Sequence, residues 1–222
     1  MKGKLIVIEG LDGSGKHTQT VKLKEYYESI GKSVKMVCFP NYSSPSSSLV
    51  KMYLRGEFGK KADSVNPYAS SSFYAVDRFA SFKTEWQDFY ENGGIVIADR
   101  YTTSNAVHQC SKLERGEWDS FLEWLFEFEY KYMGIPEPDS VIYLRSDLET
   151  SQKLMTARYN SDESKKDIHE RDIEYLRRSK ASADYCAYKL GWNIVECIEN
   201  DTMRSVDDIF SEIKKLLFLS DC

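Results

Sequence analysis

The chain has 222 residues, 41% of them hydrophobic, and 30 Lys and Arg against 35 Asp and Glu give a formal net charge of −5. That length is enough for one sizeable core, no long Pro, Gly or Ser linker divides it, and the acidic balance speaks against broad nucleic-acid binding through a basic surface. Cys38, Cys110, Cys186, Cys197 and Cys222 are an odd set without Cys-x-x-Cys spacing, which indicates neither a disulfide framework nor a zinc site and reads as reduced thiols.

The first element in chain order is the apolar run Leu5–Ile8, too short for a signal sequence and a candidate strand. Gly10-Leu11-Asp12-Gly13-Ser14-Gly15-Lys16-His17-Thr18 follows, and a helix is expected over Thr18–Ile30, stopped by Gly31. Strand, glycine-rich turn and helix in this order form the context of a phosphate-binding loop. The glycines let the backbone turn tightly and aim N–H groups at one point, the helix adds its positive end, and Lys16 brings a mobile cation. The hydroxyl expected after that lysine to ligate Mg²⁺ is absent, because position 17 is His and the hydroxyl comes at Thr18.

Further apolar runs at Val34–Phe39, Ile95–Ala98, Val141–Leu144 and Ile194–Cys197 alternate with stretches of helical period. This alternation predicts an α/β fold with a parallel sheet and helices on both faces. Pro40 to Tyr90 is an extended connection, Ser-rich at first and aromatic-rich later, of the kind that lines the ligand crevice at the ends of parallel strands. Its second half, Pro67–Tyr90, is expected to be helical and to close at Asn92-Gly93. There Tyr74 stands one turn before Arg78, on one face. Two readings stand for this stretch: a ring and a guanidinium clamping a base, or a core tyrosine beside a solvated Asp77–Arg78 ion pair.

Asp99-Arg100-Tyr101 ends the third apolar run. In this architecture a strand-end acid faces the crevice near a metal and an arginine bridges phosphates bidentately, although a local salt bridge would read the same way. Glu117–Tyr132 carries Trp118, Phe121, Leu122, Trp124, Leu125, Phe126 and Phe128, apolar around so much of its circumference that it is expected to be buried, in part against a second copy of the chain. Between Met155 and Arg178, Arg158, Lys165, Lys166 and Arg171 mix with acids around an unpatterned centre, Tyr159–Ser164. By composition this is a solvated charged helix pair; with a phosphate loop upstream it reads as a closing lid that excludes water and brings positive charge. The last helix is expected over Val206–Leu219, with Ile209, Phe210, Ile213, Leu216 and Leu217 on its apolar side.

These motifs, in this order, resemble the thymidylate kinases nearly end to end. Ile8 to Lys16 is similar to that family's phosphate loop, Phe39-Pro40 with Tyr42 to its Phe-Pro-Arg acceptor loop, and Tyr74-Ala75-Val76-Asp77-Arg78 to its thymine-binding element. Asp99-Arg100-Tyr101 with Ser104-Asn105 resembles its Asp-Arg-Tyr signature. The resemblance implies a P-loop kinase three-layer fold over residues 1–222 as one domain, with a five-stranded parallel sheet, a lid at about 156–172 and a homodimeric assembly in the cytoplasm. It implies transfer of the ATP γ-phosphoryl group to dTMP, with ATP over Gly10 to Thr18. Lys16, Arg100, Asp12 and Arg158 would serve catalysis, with Arg171, Lys165 and Lys166 as other lid candidates. Acceptor binding falls to Asp12, Phe39, Pro40, Tyr42, Tyr74, Arg78, Arg100, Asn105 and His108, and Mg²⁺ to Asp99 with the nucleotide. His17, Asn41, His108 and Arg145 depart from the family pattern, at the metal, acceptor-phosphate, sugar and fourth-strand positions. A kinase for another nucleoside monophosphate or a deoxynucleoside, and a nucleotide binder without catalysis, are the rival readings. Arg78 and Arg100 weigh against an unphosphorylated acceptor, since two guanidiniums without anions would be left unpaired.

Overall fold

The computed structural model describes residues 2–158, 168–170, 172–200 and 202–219. Strand β1 (Lys4–Gly10) leads through the glycine loop into helix α1 (Lys16–Ser29) and then β2 (Val34–Cys38). The long connection holds α2 (Ser48–Leu54) and α3 (Pro67–Ser81), and a π-helical turn, Phe82–Trp86, carries α3 into α4 (Gln87–Glu91). After β3 (Ile95–Asp99) come α5 (Thr102–Cys110) and α6 (Trp118–Phe126), the latter extended by a second π-helical turn, Glu127–Tyr132. Strand β4 (Ser140–Arg145), α7 (Leu148–Arg158), α8 (Ile173–Lys189), β5 (Asn193–Glu196), the two-residue strands β6 (Ile198–Glu199) and β7 (Thr202–Met203), and α9 (Val206–Leu219) complete the order.

The expected strands are present to within a residue or two, as a five-stranded parallel sheet in the order β2-β3-β1-β4-β5. β1 therefore runs down the middle, and Leu5, Ile6, Val7 and Ile8 are fully buried because helices cover both faces. On one face β1 packs with Trp86, Tyr101, Phe121 and Cys186; on the other Ile6 and Ile8 meet Leu23, Ile209 and Ile213 from α1 and α9. The Glu117–Tyr132 stretch is helical as its composition suggests, with Trp118, Phe121, Leu122 and Leu125 buried within this chain.

Several elements depart from their expected form. Helix α1 begins at Lys16, two residues early, because Gly15 takes a left-handed conformation (φ 86°) that lets the loop run straight into the helix. The periodicity singles out no separate helix at α2, α5, α7 or α8. α8 starts at Ile173, capped by the Asp172 carboxylate on the Tyr175 amide at 3.0 Å, so the last part of the charged Met155–Arg178 stretch is ordered helix. Arg145 has a cross-strand explanation: it stands opposite Glu196 on β5 and donates to it, with a 3.1 Å bond from Nε.

Candidate active site

The strand ends of the sheet open onto a cleft of about 1320 Å³ that receives residues from α1, β2, α3, β3, α5 and the segment before α9. At its centre lies the loop between β1 and α1. Lys16 Nζ donates to the Leu11 carbonyl at 2.7 Å, and Ser14 N closes a turn onto the same oxygen at 3.1 Å. The Lys16 ammonium is thus folded back over the loop, 4.0 Å from Asp12. Burial lowers its pKa to about 8, aided by the nearby Arg100 and resisted by Asp12, Asp99 and Glu9. Gly13 (φ 82°) leans on helix α7, where an added Cβ would fall 2.4 Å from the Ser151 carbonyl. Ser14 Oγ is buried without a hydrogen-bond partner among the described residues.

Arg100 follows the end of β3 in a left-handed conformation (φ 68°), rare for a residue with a Cβ. Its backbone N–H donates to Ile8 at 3.2 Å, and the guanidinium turns back over the loop, reaching Asp12 at 2.5 Å and Ser104 Oγ at 3.1 Å. Glu9 anchors the ensemble from beneath: its carboxylate accepts from the Gly10 amide at 2.9 Å, Thr103 and Ser104 at 2.7 Å each, and Arg100 at 3.5 Å. Burial alone would raise the Asp12 pKa; Arg100 and Lys16 reverse that and hold the carboxyl well below its usual range. His108 Nε2 lies 3.3 Å from Arg100, which can only donate, so Nε2 accepts and Nδ1 carries the proton toward Tyr175 Oη at 3.2 Å. Burial and the adjacent guanidinium push His108 down to about 3, keeping it neutral.

The cleft also takes in Tyr74 and Arg78, which their spacing places on one face, and Asn105 from α5. The Asp77–Arg78 adjacency is neither a solvated pair nor a mutual one. Both side chains are buried and point to different partners. Asp77 holds the segment after β2, accepting from Asn41 N at 2.7 Å and Ser46 Oγ at 2.6 Å. Arg78 forks onto Glu129, with Nε at 2.6 Å and Nη2 at 2.5 Å. Burial opposes the charge on Arg78, and Glu129 more than reverses that, raising its pKa. Because Arg78 pairs with Glu129 and Arg100 with Asp12, neither guanidinium lacks an anion. The argument for a phosphorylated acceptor from two unpartnered arginines therefore fails.

Phe39 is buried against Tyr101, their centroids 5.9 Å apart, while Pro40 and the exposed Tyr42 line the cleft. Asn41, where the resemblance implied an arginine, donates to Glu85 at 3.0 Å and points away from that task. Asp99 is nearly buried at the strand end, and the exposed His17 places Nδ1 3.3 Å from its Oδ2. The Asp99 carboxylate suits a hard cation beside a nucleotide phosphate; the imidazole of His17 does not replace the missing hydroxyl. Arg158 closes α7, but its side chain lies outside the described residues, as do Lys165, Lys166 and Arg171. Glu129, Met203 and Arg204 belong to the site or its support and carry no motif, and Glu9 stands within the loop motif without a role read from it; their place in the fold identifies them.

A family model described as thymidylate kinase matches residues 8–213 of this chain. The chain belongs to the thymidylate kinase family. It is 33% identical over 179 residues to the thymidylate kinase of Mycobacterium tuberculosis, covering 80% of this chain and 82% of that one. A probable thymidylate kinase of Pyrococcus abyssi is 29% identical over 217 residues, 98% of this chain and 97% of its own. Among solved structures, thymidylate kinase from Candida albicans superposes with a TM-score of 0.73 at 21% identity, covering 99% of this chain and 93% of that one, which bears on the fold alone. Family membership makes this chain an enzyme of nucleotide phosphorylation.

Proposed function

We propose that this chain transfers the γ-phosphoryl group of ATP to dTMP, releasing ADP and dTDP on the way to dTTP. The observation that carries this reading is the convergence of Lys16, Asp12 and Arg100 between a phosphate-binding loop and a pocket lined by Tyr74, Arg78 and Asn105, all in one cleft. The loop from Gly10 to Thr18 holds the ATP phosphates through backbone N–H groups and Lys16. An oxygen of the acceptor phosphate attacks the γ-phosphorus while the bond to the β,γ-bridging oxygen breaks. Arg100 exchanges part of its hold on Asp12 for the acceptor phosphate, and its planar fork spans oxygens of both nucleotides as charge develops. Asp12, fixed by Arg100, stands at the junction of acceptor sugar and phosphate. Tyr74, Arg78 and Asn105 take the base, with Phe39, Pro40 and Tyr42 closing over it and His108 at the sugar. Mg²⁺ bound with ATP would be held by Asp99 and the phosphates and would offset their charge. Arg158 is our candidate for the basic group brought by the lid, with Arg171, Lys165 and Lys166 as its substitutes.

The chain acts as one domain in this reading, in the cytoplasm, on small-molecule nucleotides and not on nucleic acid. No described helix is long and apolar enough to cross a membrane. A homodimer is supported by the exposed apolar stripe Tyr68, Val76 and Phe79 on α3. The test is ADP release from Mg-ATP by purified protein against dTMP, dUMP, UMP, dCMP, dGMP, AMP and thymidine. Selective turnover of dTMP is expected. Preference for another acceptor refutes the substrate assignment, and ATP binding without turnover of any refutes the enzymatic one.

A further inference from the structure

We infer that Glu129 sets the hydrogen-bond polarity of the base pocket, acting as a positioning residue that locks the side-chain amide of Asn105. This rests on the acceptor reading above and deepens it. Glu129 is fully buried on the π-helical turn after α6, and its carboxylate gathers three side chains from two other helices. Oε1 accepts from Arg78 Nη2 at 2.5 Å and Asn105 Nδ2 at 3.1 Å; Oε2 accepts from Arg78 Nε at 2.6 Å and Thr102 Oγ1 at 3.1 Å.

The second amide proton of Asn105 goes to the Ser71 carbonyl at 3.2 Å. Both partners of that nitrogen are oxygens that only accept, so a flipped amide would set Oδ1 against a carboxylate and a carbonyl. The orientation is therefore dictated by chemistry. Asn105 lines the cleft, and the polar atom it has left to offer there is the acceptor Oδ1. Arg78 has spent Nε and Nη2 on Glu129, while Nη1 makes one long contact, 3.4 Å, to the Tyr101 carbonyl. What Arg78 offers the cleft is a donor.

A donor next to an acceptor matches a ring edge in which a carbonyl adjoins an N–H, the imide edge of thymine and uracil. Cytosine presents the reverse order, an amine donor beside a ring acceptor, and would face donor with donor and acceptor with acceptor. A site built on such buried partners discriminates strongly, because the wrong ligand leaves them unsatisfied. Replacing the carboxylate by an amide gives Asn105 a neighbour that can donate, and its own amide becomes free to turn.

The test compares wild type, Glu129→Gln and Glu129→Asp in kcat/KM and Kd for dTMP and dCMP, with thermal unfolding to establish that each variant is folded. The expected result is a fall of at least about tenfold in the dTMP-over-dCMP ratio for Glu129→Gln, with KM moving more than kcat. Glu129→Asp retains a charge for Arg78 and carries the test if the Gln variant does not fold; a smaller fall in the same direction is expected. A folded variant of either kind with the wild-type ratio overturns the proposal. Independently of activity, hydrogen exchange of the Asn105 side-chain amide in unliganded wild type, followed by NMR, should show both protons protected. Rapid exchange of either refutes the lock, whereas protected protons in a protein that ignores dTMP would refute the acceptor reading alone.

Discussion

Arg78 and Arg100 line one cleft and each meets a carboxylate at 2.5 Å, yet their surroundings make them different instruments. The side chains of Arg78 and Glu129 are 2% and 0% exposed, and those of Arg100 and Asp12 are 15% and 28% exposed. Around Arg78 the cost of removing charge from water is already met inside the protein, so the pair behaves as a fixed, neutral fixture that shapes a pocket. Around Arg100 the counter-ion stands at the cleft surface, and a phosphate can take over part of its place. Burial of the partner, more than presence of the arginine, separates a guanidinium locked in a closed pair from one whose anion stands open to exchange.

Substitutions can break this contrast. Lys16→Ala should cost the most, lowering kcat/KM by about 10³-fold or more while leaving the fold intact, since the loop's only side-chain cation is lost at the transferring phosphate. Steady-state kinetics beside a melting curve checks this, and a loss under tenfold would remove the loop from the mechanism. Glu129→Ala should strip about 3–5 kcal/mol from unfolding stability by stranding the buried Arg78. Asp12→Ala should cost clearly less, because Arg100 keeps Glu9 and Ser104 as partners and part of its access to water. Denaturant titration of the two variants would dissolve the comparison if the losses came out equal.

A pH profile sharpens the phosphate side. With Lys16 lowered to about 8, the free enzyme loses that cation as pH rises through this value, so kcat/KM for ATP should be level below it and fall about tenfold per unit above it. Asp12, held ionised far into acid, gives no compensating inflection between pH 5 and 8. A plateau extending to pH 10 would show that Lys16 is not the cation that matters. His17→Ser should produce the smallest effect, within about threefold at saturating Mg²⁺, because the imidazole supplies no oxygen ligand to lose. A larger drop in initial rate would assign His17 a direct task.

The sheet and the phosphate loop were legible because each is written locally: five short apolar runs, and glycines with a lysine between a strand and a helix. Asp99 and Arg100 were legible for the same reason, being the end of one such run. The supports were not. Glu129 sits on a π-helical turn, where the 3.6-residue period that sorts inward from outward positions breaks down, and its partners lie 24 to 51 residues away in sequence. Asp77 and Arg78 look like a pair because they are neighbours, but consecutive helix positions diverge by roughly 100°, sending one to the segment after β2 and the other to Glu129. Helix α5 is polar and rich in Thr and Ser, and what makes it a buried helix is the company of α3 and α8. Arg145 could be explained only after β5 was placed beside β4.

The strand order has a consequence for how the protein is made. β1 is synthesised first but lies between β3 and β4, so its hydrogen-bonding neighbours are the stretches Ile95–Asp99 and Ser140–Arg145. At translation rates of about 5–20 residues per second, roughly 7 to 27 seconds pass before the second neighbour exists. Until then the central strand and the glycine loop behind it lack the wall that β4 provides, and a nascent chain pausing before β4 would present a sticky, unpaired edge to the cell's chaperones.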